Sequence, residues 1–595
     1  MKDLLTAIFY SKEDVLMFLR DKPKADRVYP LTPNAHATLL DIDLPILNPL
    51  NYFTDYSHRK VVSRVRSIER QLHPLLSDEE NLSDASKETF RGLFHVLACS
   101  AIYIWYTIKD TGPWLVNASN KWHNSKGLAE THKLILKEIF KTDGLIIKLD
   151  KEKSRQFSYL STILTNILLR LIEGKKCLLT TGSVYGLREL KTKINELDSD
   201  YHFVDISGSN KWRIIWSFYE LLTMKREGGT TIYIDSYSRK YIDKVSTVIY
   251  QLLDKVEDPI VLNVKELIIP QLIDNVAYTE SLSDGVKNVF DRLRPKALIA
   301  HYMRWHEGAV LGETAKKSNI PSILISHGSH PKPMDTTSWY EFREEAQGLL
   351  VSPLATETIT QSPNAENTAL DFMPGLQRSQ FQPIIWGYKK NNHLSIRERK
   401  TRKILHAGTY KSSCIRPWIY ETSNEFINGL RHLVQAVKEL DDAYLIIRIR
   451  PNRECSIRSL RKLLPESDNY EIKTSGSFLD DLMDADLLIS FSSTTIEETL
   501  NARKPVGLFG GSNRYRYLPG SSTLPTQNKR SAVYHLSEDN LKTMLNSILD
   551  VHASKPLTDK ELDGYVWPDN IPGREEFIQQ ILNEESVSYV EPTIN

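Results

Sequence analysis

The hydrophobic positions fall into two regions in which short apolar runs alternate with segments of helical spacing. In the first region the apolar runs are KKCLLTTG, TTIYIDSY, RPKALIAHY and PSILISHG, and most are followed by an amphipathic segment. Apolar runs of roughly four to eight residues bounded by turn signals are typical of buried strands. Strands that alternate with helices predict a parallel sheet that is covered on both faces.

A second region from about residue 402 repeats this order. Its apolar runs are KILHAGTY, AYLIIRIRPN, DLLISFSS and PVGLFG, separated by segments such as ETSNEFINGLRHLVQAVKEL and TIEETLNAR. Residues 350–400, rich in Pro, Asn, Ser and Gln, are interpreted as an interdomain connection with loops. The pattern therefore predicts an α/β protein with two Rossmann-like, doubly wound domains facing a cleft, an N-terminal one over residues 1–385 and a C-terminal one over residues 386–595.

A more helical stretch, about residues 56–141, is predicted as an insertion in the N-terminal half. Its most apolar part, Gly92–Ile108, reads GLFHVLACSAIYIWYTI. This run is at the short limit of the roughly 17–25 residues that span a membrane, and it contains His95. A buried or interfacial helix fits it better than a spanning one. Peripheral contact with a membrane remains an open alternative.

Composition narrows the classes of function. The 595-residue chain carries 76 Lys and Arg against 75 Asp and Glu, which gives no overall basic bias toward a nucleic acid partner. Its four cysteines are far apart and lack zinc-site or redox-motif spacing, which favours free thiols in a reducing compartment. The N-terminus lacks the pattern of a signal peptide. We therefore expect a cytoplasmic location, with the inner face of the cell membrane as an alternative.

The stretch DLLISFSSTTIEETL places a run of hydroxyl groups between a predicted strand and a helix. The hydroxyls are those of Ser492, Ser493, Thr494 and Thr495. Ligands of open α/β sheets bind beyond the carboxyl ends of the strands, where helix amides also favour negative charge. The run therefore predicts a phosphate site. The alternative is a helix cap, because Thr494 with Glu497, or Thr495 with Glu498, has capping-box spacing.

Two further strand ends carry candidate phosphate ligands. Alternation along LIIRIRPN puts Arg448 and Arg450 on one face, where a guanidinium could grip phosphate oxygens. In ILHAGTY, Thr409 follows a glycine that permits close approach of a ligand. The alternatives are solvated arginines at an exposed strand end and an ordinary tight turn.

The segment PSILISHGSHPKP delivers His327 and His330 into a Gly/Pro loop after a buried strand. A histidine in this position can act as a general base. The alternative is a structural histidine that binds loop backbone. The preceding strand ends in HYMRWHEG, which makes Glu307 the alternative base and His301 and His306 weaker candidates.

Other chemistries lack their motifs in this sequence. We find no Walker loop, no GxGxxG after a strand, and no HExxH or Cys/His cluster, so neither a cofactor nor a metal is expected. The Gly510–Gly520 loop, GGSNRYRYLPG, is interpreted as a ligand-covering or interdomain loop.

The order HAGTY, RIRPN and FLDDLMDADLLISFSSTTIEETLNARKPV resembles the nucleotide-binding domain of bacterial surface-carbohydrate glycosyltransferases of the GT-B fold. The resemblance implies that the Ser/Thr turn holds donor phosphates and that Glu498 contacts the donor ribose. Some relatives have His-Pro where this chain has Arg450-Pro451. The ISHG motif resembles that of teichoic-acid polymerases, in which the histidine is the base, and this supports His327.

The resulting hypothesis is a metal-independent glycosyltransferase that moves a sugar from a nucleotide-activated donor to a surface-polysaccharide or glycolipid acceptor. The first alternative is a polyol-phosphate transferase of the CDP-glycerol type. A nucleotide-sugar epimerase is a weaker one, because the sequence shows no pair of carboxylates placed for proton shuttling. The third is a non-catalytic protein that binds a nucleotide or a glycan.

Overall fold

The computed structural model describes residues 4–47, 55–109, 112–118, 120–125, 128–142, 163, 165–181, 190–194, 196, 201–208, 230–234, 239–385, 401–408, 410, 421–450, 452, 454–510, 515–553 and 555–582. Their strands form three sheets. Two of these are large and entirely parallel, which confirms an α/β protein with two Rossmann-like domains.

The N-terminal parallel sheet has seven strands in the order β11-β10-β9-β8-β5-β6-β7. The strands are β5 (Lys176–Thr181), β6 (Tyr201–Gly208), β7 (Thr230–Ile234), β8 (Ala297–Ala300), β9 (Ser322–Ile325), β10 (Glu357–Thr360) and β11 (Arg378–Gln380). The central strands β8 and β9 are completely buried, as both faces of a covered parallel sheet should be.

The C-terminal parallel sheet has six strands in the order β14-β13-β12-β15-β16-β17. The strands are β12 (Arg402–Ala407), β13 (Ala443–Arg448), β14 (Tyr470–Lys473), β15 (Leu487–Ser490), β16 (Val506–Leu508) and β17 (Val533–His535). The reversal of strand order falls between β12 and β15, so the ends of these two strands flank the position where such sheets bind ligands.

A third, smaller sheet was not predicted as a separate unit. It has the order β2-β1-β3-β4, with β1 (Thr6–Phe9), β2 (Arg27–Pro30), β3 (Trp114–Ala118) and β4 (Lys121–Ser125). The β3–β4 pair is an antiparallel hairpin inside the stretch that we predicted as largely helical. The helical interpretation of residues 56–141 is therefore wrong at this hairpin.

The helices are numbered in chain order. They are α1 (Lys12–Asp21), α2 (Pro33–Leu39), α3 (Asp55–Ser77), α4 (Asp84–Ile108), α5 (Leu128–Thr142), α6 (Arg239–Leu253), α7 (Pro259–Leu293), α8 (His306–Lys317), α9 (Thr336–Ala346), α10 (Pro363–Phe372), α11 (Ser423–Lys438), α12 (Ile457–Leu463), α13 (Phe478–Asp484), α14 (Thr495–Asn501), α15 (Leu541–His552), α16 (Asp559–Leu562) and α17 (Arg574–Leu582).

Local sequence accounts for α11. Thr422 and Glu425 form a reciprocal capping box at its start. Residues Phe426, Leu430 and Val437, at helical spacing, lie in the core of the C-terminal domain.

Helix α4 contains the apolar run Gly92–Ile108, and it is buried in the protein core. Most of its side chains are inaccessible, and it packs against α3, α7 and α8. Within the described part of the chain, no helix combines the length and apolarity that a membrane crossing requires. The buried helix is confirmed.

Residues 350–400 were interpreted as connection and loops, and this is wrong for their first part. Here β10, α10 and β11 extend the seven-stranded sheet at its edge. The strands read ETIT and RSQ, which lack an apolar run, and Ser362 caps α10 ahead of Pro363 at the first helical position. These elements were not predicted because their polar composition is typical of loops.

The last described helix, α17, packs on the N-terminal sheet. Phe577, Ile578 and Ile581 lie in the cluster that contains Phe203 and Phe381. The Lys296 ammonium also donates to the Leu582 carbonyl oxygen at 2.7 Å. The chain therefore returns to the N-terminal domain, although we assigned residues 386–595 to the C-terminal one.

Candidate active site where the two sheets meet

Two motifs that the sequence singled out separately are in contact. The loop after β9 carries His327, Gly328 and Ser329, and the loop after β15 carries the hydroxyl run. A Cβ added at Gly328 would lie 3.1 Å from the Thr494 methyl group and 3.0 Å from the Tyr517 hydroxyl. The carboxyl ends of the two parallel sheets therefore face each other at this point, which is where both sheets should bind ligands.

The carboxyl group of Glu497, in the first turn of α14, joins these two loops. Its Oε1 accepts from the Ser329 amide at 2.7 Å and from the Tyr517 hydroxyl at 3.0 Å. Its Oε2 is buried and has no hydrogen-bond partner among the described residues. Burial raises the pKa of Glu497 to about 7, and the bonds from Ser329 and Tyr517 oppose that rise.

The hydroxyl run is not used as the predicted helix cap. Thr494 is the residue before α14, and its side chain makes no capping hydrogen bond. Ser493 Oγ accepts from the Thr495 amide at 3.3 Å, while the Thr495 hydroxyl is buried without a hydrogen-bond partner within the described ranges. Both predicted capping boxes are thus absent, because the carboxylate of Glu497 turns to Ser329 and neither threonine hydroxyl caps the helix. Ser492 and Ser493 are half-buried in the loop between β15 and α14.

The other predicted phosphate ligands have different surroundings. The Arg448 guanidinium, at the end of β13, donates to the Asp481 carboxylate and to the Gly476 carbonyl oxygen. Arg450 is exposed just beyond that strand, and Glu498 is half-buried on α14. Thr409 lies outside the described residues. The binding roles of these four residues stay predictions.

His327 is exposed at the end of β9, and its amide donates to the Leu349 carbonyl oxygen at 3.0 Å. His301 follows the neighbouring strand β8. Burial, and then the charge of nearby His327, lowers the pKa of His301 to about 4, so its imidazole is neutral at neutral pH. His330 is buried with a backbone φ of 60°.

Glu307, the alternative base, is half-buried in the first turn of α8. Its Oε1 accepts from the Tyr278 hydroxyl at 2.8 Å. Next to it, His306 Nδ1 lies 3.1 Å from the Thr279 hydroxyl. Both residues thus bind to α7, and their catalytic roles stay predictions.

The described part of the Gly510–Gly520 loop is an interdomain contact. The Tyr515 ring meets the ring of Phe342, in the N-terminal domain, with centroids 5.2 Å apart, and that of Phe491 at 5.0 Å. Arg516 forms an isolated antiparallel bridge with Lys332. This aromatic contact lies beside the loops that carry His327 and the hydroxyl run.

The small N-terminal sheet also docks on the C-terminal domain. The Tyr10 hydroxyl donates to Glu454, and the Asn34 amide donates to the Glu454 carbonyl oxygen at 2.9 Å. Asn34 Oδ1 accepts from the Ser456 amide at 2.9 Å. The small sheet therefore adds a contact between the two halves of the chain that is separate from that of Tyr515.

Glu497 and Tyr517 were missed as site residues by the sequence analysis. Glu497 was considered only as a helix cap, and Glu498 was preferred from the resemblance. The adjacency of Glu497 to the hydroxyl run and the place of Tyr517 in the Gly510–Gly520 loop were the available signals. Among the described residues, no group of three or more His, Cys, Asp or Glu side chains is placed to hold a metal ion.

No protein-family model matches the chain, and no curated protein matches its sequence. Similar solved structures include a putative UDP-N-acetylglucosamine 2-epimerase from Listeria monocytogenes, with 12% identity, 71% of this chain and 100% of that chain covered, and a TM-score of 0.38. MurG of Acinetobacter baumannii has 10% identity, coverages of 69% and 99%, and a TM-score of 0.34. A variant of the wall teichoic acid polymerase TagF has 11% identity, coverages of 75% and 97%, and a TM-score of 0.36.

The three matches span nearly the whole length of the solved structures. All three TM-scores are below 0.5, so they carry no argument of their own. The class rests on the sheets: two Rossmann-like domains whose carboxyl strand ends face each other, as in the GT-B fold.

Proposed function

We propose that this protein is a glycosyltransferase that moves a sugar from a nucleotide-activated donor to a surface-polysaccharide or glycolipid acceptor. The observation that carries the proposal is the contact between the His327–Ser329 loop and the loop of Thr494 and Glu497. A candidate base and a candidate phosphate site, more than 160 residues apart, meet at the carboxyl ends of two sheets. A group transfer between two substrates needs this juxtaposition.

The donor would lie against the hydroxyl run. Ser492, Ser493 and Thr494 are half-buried, and the Thr494 side chain makes no capping bond. Hydroxyl and amide donors in this loop would stabilise the negative charge that develops on the phosphate of the departing nucleotide. Arg450, Arg448 and Thr409 are proposed to assist, with Glu498 at the donor ribose. This binding needs no metal ion.

His327 is proposed as the base if the reaction inverts the anomeric carbon. Its imidazole takes the proton of the acceptor hydroxyl while that oxygen bonds to the anomeric carbon. The bond from the anomeric carbon to the phosphate oxygen breaks, and the electron pair leaves with the nucleotide. The exposed position of His327 keeps its ring within reach of an acceptor that enters from solvent.

The test is transfer of a radiolabelled sugar from UDP-, GDP-, ADP- or CMP-activated donors to a bacterial glycolipid fraction. We expect labelled glycolipid with one donor, and a rate lower by about 10²–10⁴ in His327→Ala with nucleotide affinity retained. His432→Ala is the control, because His432 is half exposed on α11 and pairs with Glu538.

The other outcomes of this assay contradict the proposal in different ways. Transfer of donor phosphate together with the labelled group would identify a polyol-phosphate transferase. A product that remains a nucleotide sugar with altered stereochemistry would identify an epimerase. Nucleotide binding without turnover, unchanged in His327→Ala, would identify a non-catalytic binding protein.

A further inference from the structure

A cavity of about 310 Å³ lies in the N-terminal half, between α4, the loop after β8, and α9. Three arginines line it, one from each of these elements: Arg91, Arg304 and Arg343. The other polar side chains of the wall are those of His73, Glu88, Glu344 and Gln347. Arginine clusters of this kind are the usual protein sites for phosphate and carboxylate groups.

The three guanidinium groups are incompletely satisfied within the protein. Arg304 is only 5% exposed, and the carboxylate oxygen paired with it, Glu345 Oε2, is 3.8 Å away, too far for a hydrogen bond. The Arg343 guanidinium stacks on Trp339 at 5.4 Å and forms no ion pair with any described residue. Only Arg91 has a close carboxylate, that of Glu88.

Several buried polar atoms here have no hydrogen-bond partner among the described residues. They are the Nε atoms of the three arginines, the Gln347 Oε1 and the indole nitrogen of Trp305. Buried polar groups in folded proteins are nearly always bonded to protein, water or a ligand. So many unpartnered atoms around one cavity indicate that partners from outside the chain belong there.

The balance of charge favours an anion. Burial, and then the neighbouring Glu69 carboxylate, raises the pKa of Glu344, which favours its neutral form. Burial lowers the pKa of His73, also in the wall, which disfavours its positive form. Among the residues that line the cavity, three guanidinium groups then face one ionised carboxylate, that of Glu88. The Glu345 and Glu69 carboxylates are near the cavity but do not line it, and Glu69 Oε1 pairs with the His95 ring at 3.0 Å. The wall of the cavity therefore carries an excess of positive charge.

The cavity adjoins the candidate active site through one short loop. Gln347 lines the cavity, and the Leu349 carbonyl oxygen accepts from the His327 amide. Only Gly348 separates these positions, so their Cα atoms are at most about 8 Å apart. Between them, the Gly348 carbonyl oxygen accepts from the Met303 amide beside Arg304 at 2.8 Å.

We propose that this cavity binds an oxyanion, a phosphate or carboxylate group, through Arg91, Arg304 and Arg343. We assign the cavity to the acceptor, an assignment that rests on the proposed function. The cavity flanks the His327 loop in the N-terminal domain, whereas the donor is proposed to lie against the hydroxyl run. The acceptor is then an anionic glycan or a phosphate-linked lipid.

Calorimetric titration of the purified protein with inorganic phosphate, diethyl phosphate and glucuronate tests this site. We expect saturable binding of at least one probe, weakened about tenfold or more in Arg343→Gln and in Arg304→Gln. Preference for diethyl phosphate indicates a phosphodiester-linked ligand, preference for glucuronate an acidic sugar, and preference for inorganic phosphate a monoester. Arg461→Gln is the matched control, because Arg461 is exposed on α12 in the other domain.

Two comparisons keep the test decisive. Arg343 makes no ion pair within the described residues, so Arg343→Gln should fold even if Arg304→Gln does not. Ser492→Ala/Ser493→Ala should bind the anion normally, whatever happens to nucleotide binding, which separates this site from the donor site. The proposal is overturned if no probe binds saturably, or if Arg343→Gln binds as well as the unaltered protein.

Discussion

At the scale of single residues, the least expected group is the Glu497 carboxyl. It is 2% exposed, it bridges two domains, and burial raises its pKa from 4.5 to about 7. A neutral carboxyl could donate from the oxygen that now has no partner. The contact between Glu497 and the His327 loop therefore depends on whether the Glu497 carboxyl is protonated.

Stability should depend on this proton. A carboxyl whose pKa is raised on folding stabilises the folded state below pH 4.5, and this contribution is lost as the pH rises to about 7. The loss is up to about 3 kcal/mol. Glu497→Gln keeps the shape of the side chain and cannot ionise. The stability of this variant relative to the unaltered protein should therefore increase as the pH rises from 5 to 8.

Thermal unfolding of both proteins across this range measures the difference. Glu130→Gln, which replaces an exposed carboxylate, should show no such trend. A difference in melting temperature between the unaltered protein and Glu497→Gln that stays constant with pH would show that Glu497 is ionised in the folded protein throughout.

Sequence reasoning found part of this site for a clear physical reason. His327 and the hydroxyl run each follow an apolar strand, and strand ends are recognisable from pattern alone. Choosing Glu497 over Glu498 requires knowing which side of α14 faces the other domain. Neighbouring helical residues point about 100° apart, and only the packing decides between them.

At the scale of elements, α17 shows how the end of the chain is used. Phe577 is 1% exposed and meets the ring of Phe381 with centroids 5.3 Å apart. Replacing a buried phenylalanine with alanine costs about 3–5 kcal/mol. Phe577→Ala should therefore destabilise the N-terminal sheet and leave the C-terminal sheet unaffected.

Hydrogen exchange followed by mass spectrometry resolves the two sheets. We expect faster exchange in peptides from β5, β8 and β9, and unchanged exchange in β12 and β13. Leu524→Ala serves as the control because its side chain is 50% exposed. Faster exchange in β12 and β13 alone would contradict this account, because it would mean that α17 stabilises the C-terminal domain.

Elements differed in how well pattern predicted them. Strands such as β9 and β15 are apolar and completely buried, and both were predicted. Strands β10 and β11 are mostly polar in sequence, and the β3–β4 hairpin interrupts a long helical stretch. Strand β10 pairs with β9, for example Ile359 with Ile325, and β3 pairs with β1, for example Thr6 with Trp114. These partners are distant in the sequence, so a local pattern does not reveal the pairing.

At the scale of the whole molecule, the two parallel sheets followed from the alternation of strands and helices, and their facing strand ends are what the resemblance to the GT-B fold implies. The separate N-terminal sheet and its contact with the C-terminal domain were predicted by neither. Asn34 and Tyr10 reach residues more than 400 positions away. These contacts and the aromatic contact of Tyr515 hold the two halves together.

The central claim is that the hydroxyl run binds a nucleotide. Thermal shift of the purified protein with CMP, UDP, GDP and ADP, repeated with Ser492→Ala/Ser493→Ala, tests it most directly. One nucleotide at about 100 times its dissociation constant should add about 2.7 kcal/mol to the unfolding free energy, and the double variant should lose that gain. No shift with any of the four, or an equal shift in the double variant, would contradict the account.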